Sequence, residues 1–404
     1  MRIGILTFQP SLNYGGILQC VALKSTLESM GHKVFVFNRW RDDLGDLVGG
    51  PYVKWGKRDW LRFFMRCVFC LGDFGKWLRY QRTKKYLGKN LTFLPGRFSC
   101  WADAPKTPDL DMIVVGSDQV WHCGDWGDPR PFLLDGAPEK PTIAYAASFG
   151  MAVIPQNLEA GLFCGKNIHD RYRAGLAKFS AISCREIEGV RICRDLGFTA
   201  THVVDPSLLP DLGSPLRSEK RILVGYLMTF SIDEIFVQMN RLERFACRFG
   251  CKIRLFVREG VFQNIQTLTF PKDISSARRW VAGIYHQLSS PVSLELGAGP
   301  KEFLDAFSKA KWVVTDSFHG LMFSIRNNCN VRVLRPMNAN RATMFARIEE
   351  FAEHFSGNIL VDGMDQALVS IECGDSVFFD YKWLSNWREK SRKWLENAIN
   401  GAVL

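Results

Sequence analysis

The chain has 404 residues, enough for two domains that each bury a full core, and its balance of 47% hydrophobic to 23% charged residues excludes a disordered or fibrous protein. No stretch of 18 uninterrupted apolar residues offers a membrane span, and the amino terminus enters a strand pattern without a signal-peptide layout, so a cytoplasmic location is expected. A net charge of +11 calls for an anionic partner or a large solvated basic face. In chain order, apolar β-branched runs predict strands over 3–8, 34–37, 112–115, 142–146, 181–183 and 202–204, with helices over 17–30, ended by Gly31, and 186–196, ended by Gly197. Residues 210–219, rich in Pro, Gly and Ser, read as a linker. A second set follows, with strands over 222–227, 252–257, 312–315 and 331–334. Its helices are expected over 233–249, 274–288 and 300–309, from about Ser317 onward, over 343–354, and along a terminal amphipathic stretch, 381–399. Such alternation predicts an α/β protein with two Rossmann-like, doubly wound parallel sheets facing across a cleft. The domains are read as 1–210, 219–375, and a 376–404 helix returning to the first domain.

Residues 315–325, TDSFHGLMFSI, set an acid, hydroxyls and a histidine where a strand gives way to a helix. A helix start offers unpaired N–H donors and the positive end of the macrodipole, so Ser317 and Gly320 mark a candidate anion site. His319 beside a bound anion would have a raised pKa and act as proton donor. The plainer alternative is that Asp316 or Ser317 caps the helix and His319 is an ordinary surface or core histidine. The loop Asn13-Tyr14-Gly15-Gly16 leaves the first strand at the usual ligand-facing corner, but forms no dinucleotide fingerprint. Asp118 follows another strand and reads either as a general base or as a turn cap. Trp121, His122 and Trp126 read as sugar-stacking or as core residues. Arg185 opens a helix, where its planar fork can grip an anion or pair with Glu186 or Glu188. Arg326 and Arg335 are further cations on the second half.

Cys67 and Cys70 have metal-ligand spacing without a second pair, so no metal is expected. Between residues 54 and 90, Lys and Arg alternate with aromatics such as Trp55, Trp60, Trp77 and Tyr80. A helical pair with separate aromatic and basic faces would either lie on an anionic membrane or pack on the sheet with its basic face solvated. No nucleic-acid-binding motif accompanies the charge.

Six segments, in order, carry a family likeness: Asn13-Tyr14-Gly15-Gly16 with Leu18-Gln19, Gly116-Ser117-Asp118-Gln119-Val120-Trp121, Ser183-Cys184-Arg185-Glu186, Val204-Asp205-Pro206-Ser207-Leu208, Ser317-Phe318-His319-Gly320, and Asn340-Arg341. The set resembles the polysaccharide pyruvyl transferase family. That resemblance implies a GT-B-like arrangement and transfer of an enolpyruvyl unit from phosphoenolpyruvate to two sugar hydroxyls, forming a pyruvate ketal and releasing phosphate. It implies donor contacts from Arg185, Ser317, His319, Gly320 and Arg341, with His319 and Asp118 catalytic and no cofactor beyond the donor substrate. Asn13, Tyr14, Gly15, Gly16 and Trp121 fall on the acceptor side, and the acceptor is a polysaccharide sugar or a lipid-linked precursor. The latter would suit peripheral contact with the inner face of a membrane. Asp205-Pro206 reads as structural, ending a strand. Three other readings stay open: a nucleotide-sugar glycosyltransferase of the same architecture, pyruvyl transfer to a non-polysaccharide acceptor or other chemistry on the same scaffold, and a catalytically inactive glycan-binding protein.

Overall fold

The computed structural model describes residues 1–8, 12–38, 71–96, 98, 100–103, 109–123, 128–151, 153–154, 168–210, 220–230, 232–257, 290–336 and 342–402. Two six-stranded parallel sheets organise these residues. The first contains β1 (Arg2–Leu6), β2 (Lys33–Val36), β3 (Met112–Val115), β4 (Thr142–Ala147), β5 (Ala181–Cys184) and β6 (Thr201–His202), in the order β2-β1-β3-β4-β5-β6. The second contains β7 (Ile222–Leu227), β8 (Lys252–Val257), β9 (Val292–Leu294), β10 (Trp312–Thr315), β11 (Asn330–Leu334) and β12 (Leu360–Val361), in the order β12-β11-β10-β7-β8-β9. Every residue of β3 and of β10 is buried, as expected of strands covered by helices on both faces. The chain reverses its direction of travel across the sheet between β1 and β3 in one half and between β7 and β10 in the other. Open α/β sheets bind ligands at such switch points, beyond the carboxyl ends of the strands. Both therefore point to the residues just after β1, β3, β7 and β10.

The helices are α1 (Tyr14–Ser29), α2 (Leu71–Asn90), α3 (Ile168–Leu176), α4 (Ile187–Asp195), α5 (Ile232–Phe249), α6 (Pro300–Lys309), α7 (Phe318–Arg326), α8 (Ala342–Ala352), α9 (Met364–Glu372) and α10 (Tyr381–Gly401). Their ends follow local chemistry. The Asn13 side chain caps α1 by accepting from Gly15 N at 2.9 Å, and the helix stops at Gly31, whose φ of +87° suits a residue without a Cβ. Pro300 starts α6 while Glu302 reaches back to Gly299 N at 3.0 Å, and Asp380 caps α10 by accepting from Lys382 N and Trp383 N.

One apolar cluster runs through both halves, joining Ile5, Tyr14 and Leu23 to Phe256, Phe303 and Val313. Polar ties reinforce it. Tyr14 donates to Ala298 O at 2.7 Å, and buried Arg79 donates to Leu12 O at 2.8 Å and to Val257 O at 3.2 Å. Helix α10 reaches the first sheet, where Ser391 Oγ accepts from Val204 N at 3.0 Å and Trp394 lies 6.1 Å from Tyr145, ring to ring.

Helix α2 alters the expectation for the basic, aromatic segment. Its Tyr80 is buried, its Leu78 meets Gly297, and its Arg82 donates to Gly297 O at 2.9 Å. The described apolar side of α2 is thus used against the second half, leaving Arg82, Lys84, Lys85 and Lys89 exposed. Residues 54–70 lie outside the described residues. No helix among those described is long and apolar enough to cross a membrane.

Candidate functional site

The carboxyl ends of the two sheets meet around one buried acid. Asp205 follows β6 and begins a 3-10 turn, Pro206–Leu208. Its Oδ1 accepts from Ser207 N at 2.9 Å and from Ser207 Oγ at 2.7 Å. Its Oδ2 accepts from Ser117 Oγ at 3.0 Å and from an Arg185 Nη at 3.3 Å, and it lies 4.0 Å from His319 Nε2. Burial alone would raise the Asp205 carboxyl. His319, Arg185 and Ser207 outweigh it and hold the group below the usual carboxylate range. Asp205 is therefore a charged acceptor at the junction of the halves, and more than the strand end that its Asp-Pro step suggests.

Arg185 is 1% exposed and meets three acids, with Asp205 at 3.3 Å, Asp118 at 3.4 Å and Glu186 at 3.5 Å. Burial would weaken its hold on the proton, but Asp118, Glu186 and Asp205 raise its pKa. The expected pairing with Glu186 is present, but buried and shared with Asp118 and Asp205 instead of lying at the surface. The guanidinium is buried and engaged, organising carboxylates around itself, and removing it would leave those acids uncompensated at a cost of about 3–5 kcal/mol.

Asp118 sits at φ +76°, in the left-handed region that few side chains adopt, directly after the β3 edge. Its Oδ1 accepts from Gln119 N at 2.9 Å as well as from Arg185, so the turn-capping role is realised while the carboxylate remains in the charged cluster.

His319 lies in the first turn of α7, 7% exposed, and its Nε2 is enclosed without a hydrogen-bond partner. Burial lowers its pKa from the ordinary value, against the pull of Asp205 and Asp118 and with help from Arg185 and Arg347. With its pKa lowered in this way, the imidazole is neutral near pH 7. Ser317 precedes α7 with extended backbone and makes no side-chain cap bond, which leaves the first amides of the helix to other acceptors. Asp316 does not cap α7 either. It turns across the switch point to accept from Met228 N at 2.6 Å and Thr229 N at 2.7 Å, and its burial pushes the carboxyl up.

The two glycines nearest His319 serve close packing within the protein. A Cβ on Gly15 would lie 2.2 Å from His319 Nδ1, and one on Gly320 would lie 2.1 Å from Thr315 Oγ1. Gly320 therefore seats α7 on its own strand. Gly16 O accepts from Gln19 Nε2 at 3.0 Å, and Asn13 Oδ1, besides capping α1, accepts from the Tyr226 hydroxyl at 3.4 Å.

Tyr14 and Trp121, expected on the acceptor side, are both fully buried. Tyr14 stacks on Phe303 with ring centroids 4.4 Å apart. Trp121 donates to Phe132 O at 3.2 Å and packs on Phe149 and Phe179, so its ring is core and not a sugar platform. Arg341 and Trp126 lie outside the described residues. Arg326 donates to Ser207 O at 2.8 Å, and Arg335 pairs with Asp362 at 3.0 Å near the surface. The structure adds Arg347, on α8, which stands 4.9 Å over the Phe318 ring while Arg185 stands 5.0 Å over it. In the sequence Arg347 is one cation on the polar face of an amphipathic helix, with nothing to distinguish it.

A sequence model for polysaccharide pyruvyl transferase matches residues 13–336. No protein of curated function matches significantly. Among solved structures, UDP-N-acetylglucosamine 2-epimerase from Rickettsia bellii is similar at 9% identity, covering 100% of this chain and 96% of that one with a TM-score of 0.49. UDP-GlcNAc 2-epimerase from Methanocaldococcus jannaschii is similar at 11% identity, 92% coverage of both chains and a TM-score of 0.45. MurG of Acinetobacter baumannii gives 8% identity, 97% and 94% coverage, and 0.38. Likenesses this distant say nothing about chemistry, whereas the family match spans most of the chain and contains Asp118, Arg185, Asp205 and His319. The chain belongs to the polysaccharide pyruvyl transferase family.

Proposed function

We propose that the protein transfers a pyruvyl group from phosphoenolpyruvate to two hydroxyls of a sugar in a surface or extracellular polysaccharide, or in its lipid-linked precursor, closing a cyclic ketal. The observation that carries this reading is the enclosed, unpartnered Nε2 of His319 at the amino end of α7, beside the Asp205–Arg185–Asp118 cluster, in a chain of this family. The donor's carboxylate and phosphate need N–H groups or cations, and the uncapped first turn of α7 supplies the former. An arriving anion offsets the desolvation that keeps His319 neutral, so the imidazole takes up a proton as the donor binds.

His319 then protonates the methylene carbon, which becomes the methyl group and leaves C2 electrophilic. The first sugar hydroxyl forms its oxygen bond to C2 while its proton passes to Asp118. The bond from C2 to the phosphate oxygen breaks, phosphate departs with one proton, and the second hydroxyl adds to C2. The two hydroxyl protons balance the one gained by the methyl carbon and the one gained by phosphate. No metal or organic cofactor enters the scheme.

The test is to incubate the protein with carbon-13-labelled phosphoenolpyruvate and a panel of oligosaccharides. Released phosphate and the ketal methyl resonance are then followed. Turnover should fall by about 100-fold or more in His319→Ala, the usual weight of a general acid, with donor affinity little changed. Transfer of an intact sugar from a nucleotide-sugar donor to the same panel, without consumption of phosphoenolpyruvate, would contradict the proposal.

A further inference from the structure

We infer that Arg347 receives the donor's anionic oxygens, since the Nη groups of Arg185 are already turned to Asp205 and Asp118. The inference rests on the phosphoenolpyruvate reading above and adds a residue to it. Three acids of the site are already paired with Arg185: Asp118, Glu186 and Asp205 lie between 3.3 and 3.5 Å from its guanidinium. Arg347 has both its Nε and one Nη enclosed without a hydrogen-bond partner, although the residue as a whole is only half-buried, whereas in Arg185 only the Nε lacks one and it lies 3.5 Å from Glu186.

The position is specific. Arg347 shares the Phe318 ring with Arg185, and Phe318 is the residue before His319 in the first turn of α7. Donors from α8 and from the start of α7 thus converge next to the imidazole whose Nε2 has no hydrogen-bond partner. Arg347 also lies within electrostatic reach of Arg185, Glu186, Asp118 and Asp205. Burial and the neighbouring Arg185 push its pKa down to about 10, which leaves it charged at neutral pH.

A charged guanidinium with enclosed, unbonded N–H groups is costly in the unliganded protein. Such a cost persists where a ligand relieves it. A carboxylate or phosphate oxygen is the ligand chemistry that fits, because a planar fork binds either one bidentately. Arg332, which is fully buried, shows the other pattern, donating to Ser370 Oγ, Asn330 Oδ1, Val331 O and Asp375 O.

The experiment is calorimetric titration of phosphoenolpyruvate, inorganic phosphate and pyruvate into wild type, Arg347→Met and Arg347→Lys, with thermal unfolding of each unliganded protein. Arg347→Met should bind phosphoenolpyruvate at least about tenfold more weakly. It should nevertheless unfold at the same or a higher temperature than wild type, because an unpaired buried charge is gone. Arg347→Lys should recover part of the affinity. Loss of phosphate binding alone would assign the residue to the phosphate, and loss of pyruvate binding alone to the carboxylate. Equal phosphoenolpyruvate affinity in wild type and both variants would overturn the inference while leaving the donor reading intact. So would a marked fall in unfolding temperature in both variants, the mark of a structural role. A wild-type protein that fails to bind phosphoenolpyruvate would overturn the donor reading, and this inference with it.

Discussion

Gly15 and His319 come from opposite ends of the chain, yet a methyl group added to the first would lie 2.2 Å from a ring nitrogen of the second. Gly15→Ala should therefore turn the imidazole away from Asp205 and lower turnover by about tenfold or more, as misplacement of a catalytic group does. The fold should survive. Overpacking typically costs about 1–3 kcal/mol, and alanine is the better helix former by nearly 1 kcal/mol. Full turnover with an unchanged unfolding midpoint would show that the contact does not position His319. His319, Arg185 and Asp118 were legible as chemistry-bearing residues because each follows a strand and opens a turn or helix. Their burial and mutual pairing were not, since one segment's pattern says nothing of what the opposite sheet places against it. The same blindness explains Tyr14 and Trp121. An aromatic beside a strand end carries the same local signature whether it faces a sugar or, as here, the core. Arg347 had no signal, because a buried unpaired cation and a solvated one look alike in an amphipathic helix.

Helix α8 brings a second charged group to the margin of the cluster. Glu350 lies 3.4 Å from His202 Nε2, and burial together with Glu188, Glu186 and Glu353 raises its pKa from 4.5 to about 7. Burial lowers the pKa of His202, so the imidazole does not supply a full compensating charge near neutrality. The folded protein thus binds more protons at Glu350 than the unfolded chain does between pH 4.5 and about 7. Its contribution to stability is present below that window and is lost as pH rises through it. Glu350→Gln should accordingly gain stability relative to wild type between pH 5 and pH 8, read as a shift in the denaturant midpoint difference. A difference independent of pH would show that Glu350 titrates normally.

At this scale the sequence was most informative where runs were long and apolar. The strands Ile222–Leu227, Lys252–Val257 and Trp312–Thr315 and the helix Pro300–Lys309 have the bounds that periodicity predicts. The short edge strands β9 and β12 and the mostly polar α3 were missed because two or three residues or nine polar-rich ones give little periodic signal, whereas α9, with Met364, Ala367, Leu368 and Ile371 at helical spacing, was overlooked despite its pattern. Helix α1 begins before its expected start because Asn13 caps it and draws Tyr14, Gly15 and Gly16 into the first turn.

The whole molecule is two doubly wound sheets held by a shared apolar cluster, by Arg79 from α2 and by the return of α10 to β6 and its neighbours. This construction presses the carboxyl ends of both sheets together and buries Asp205, Arg185 and His319 where they meet. A neutral imidazole enclosed there, with an unpaired Nε2, makes sense if substrate charge completes the set. The most direct measurement is calorimetric titration of phosphoenolpyruvate near pH 7 in two buffers of different ionisation enthalpy. Wild type and His319→Ala are compared, with UDP-N-acetylglucosamine as the competing ligand. The account predicts that phosphoenolpyruvate binds both proteins, that wild type takes up protons on binding, that the variant takes up fewer, and that the nucleotide sugar does not bind. Identical proton uptake in the two proteins, or binding of the nucleotide sugar alone, would contradict it.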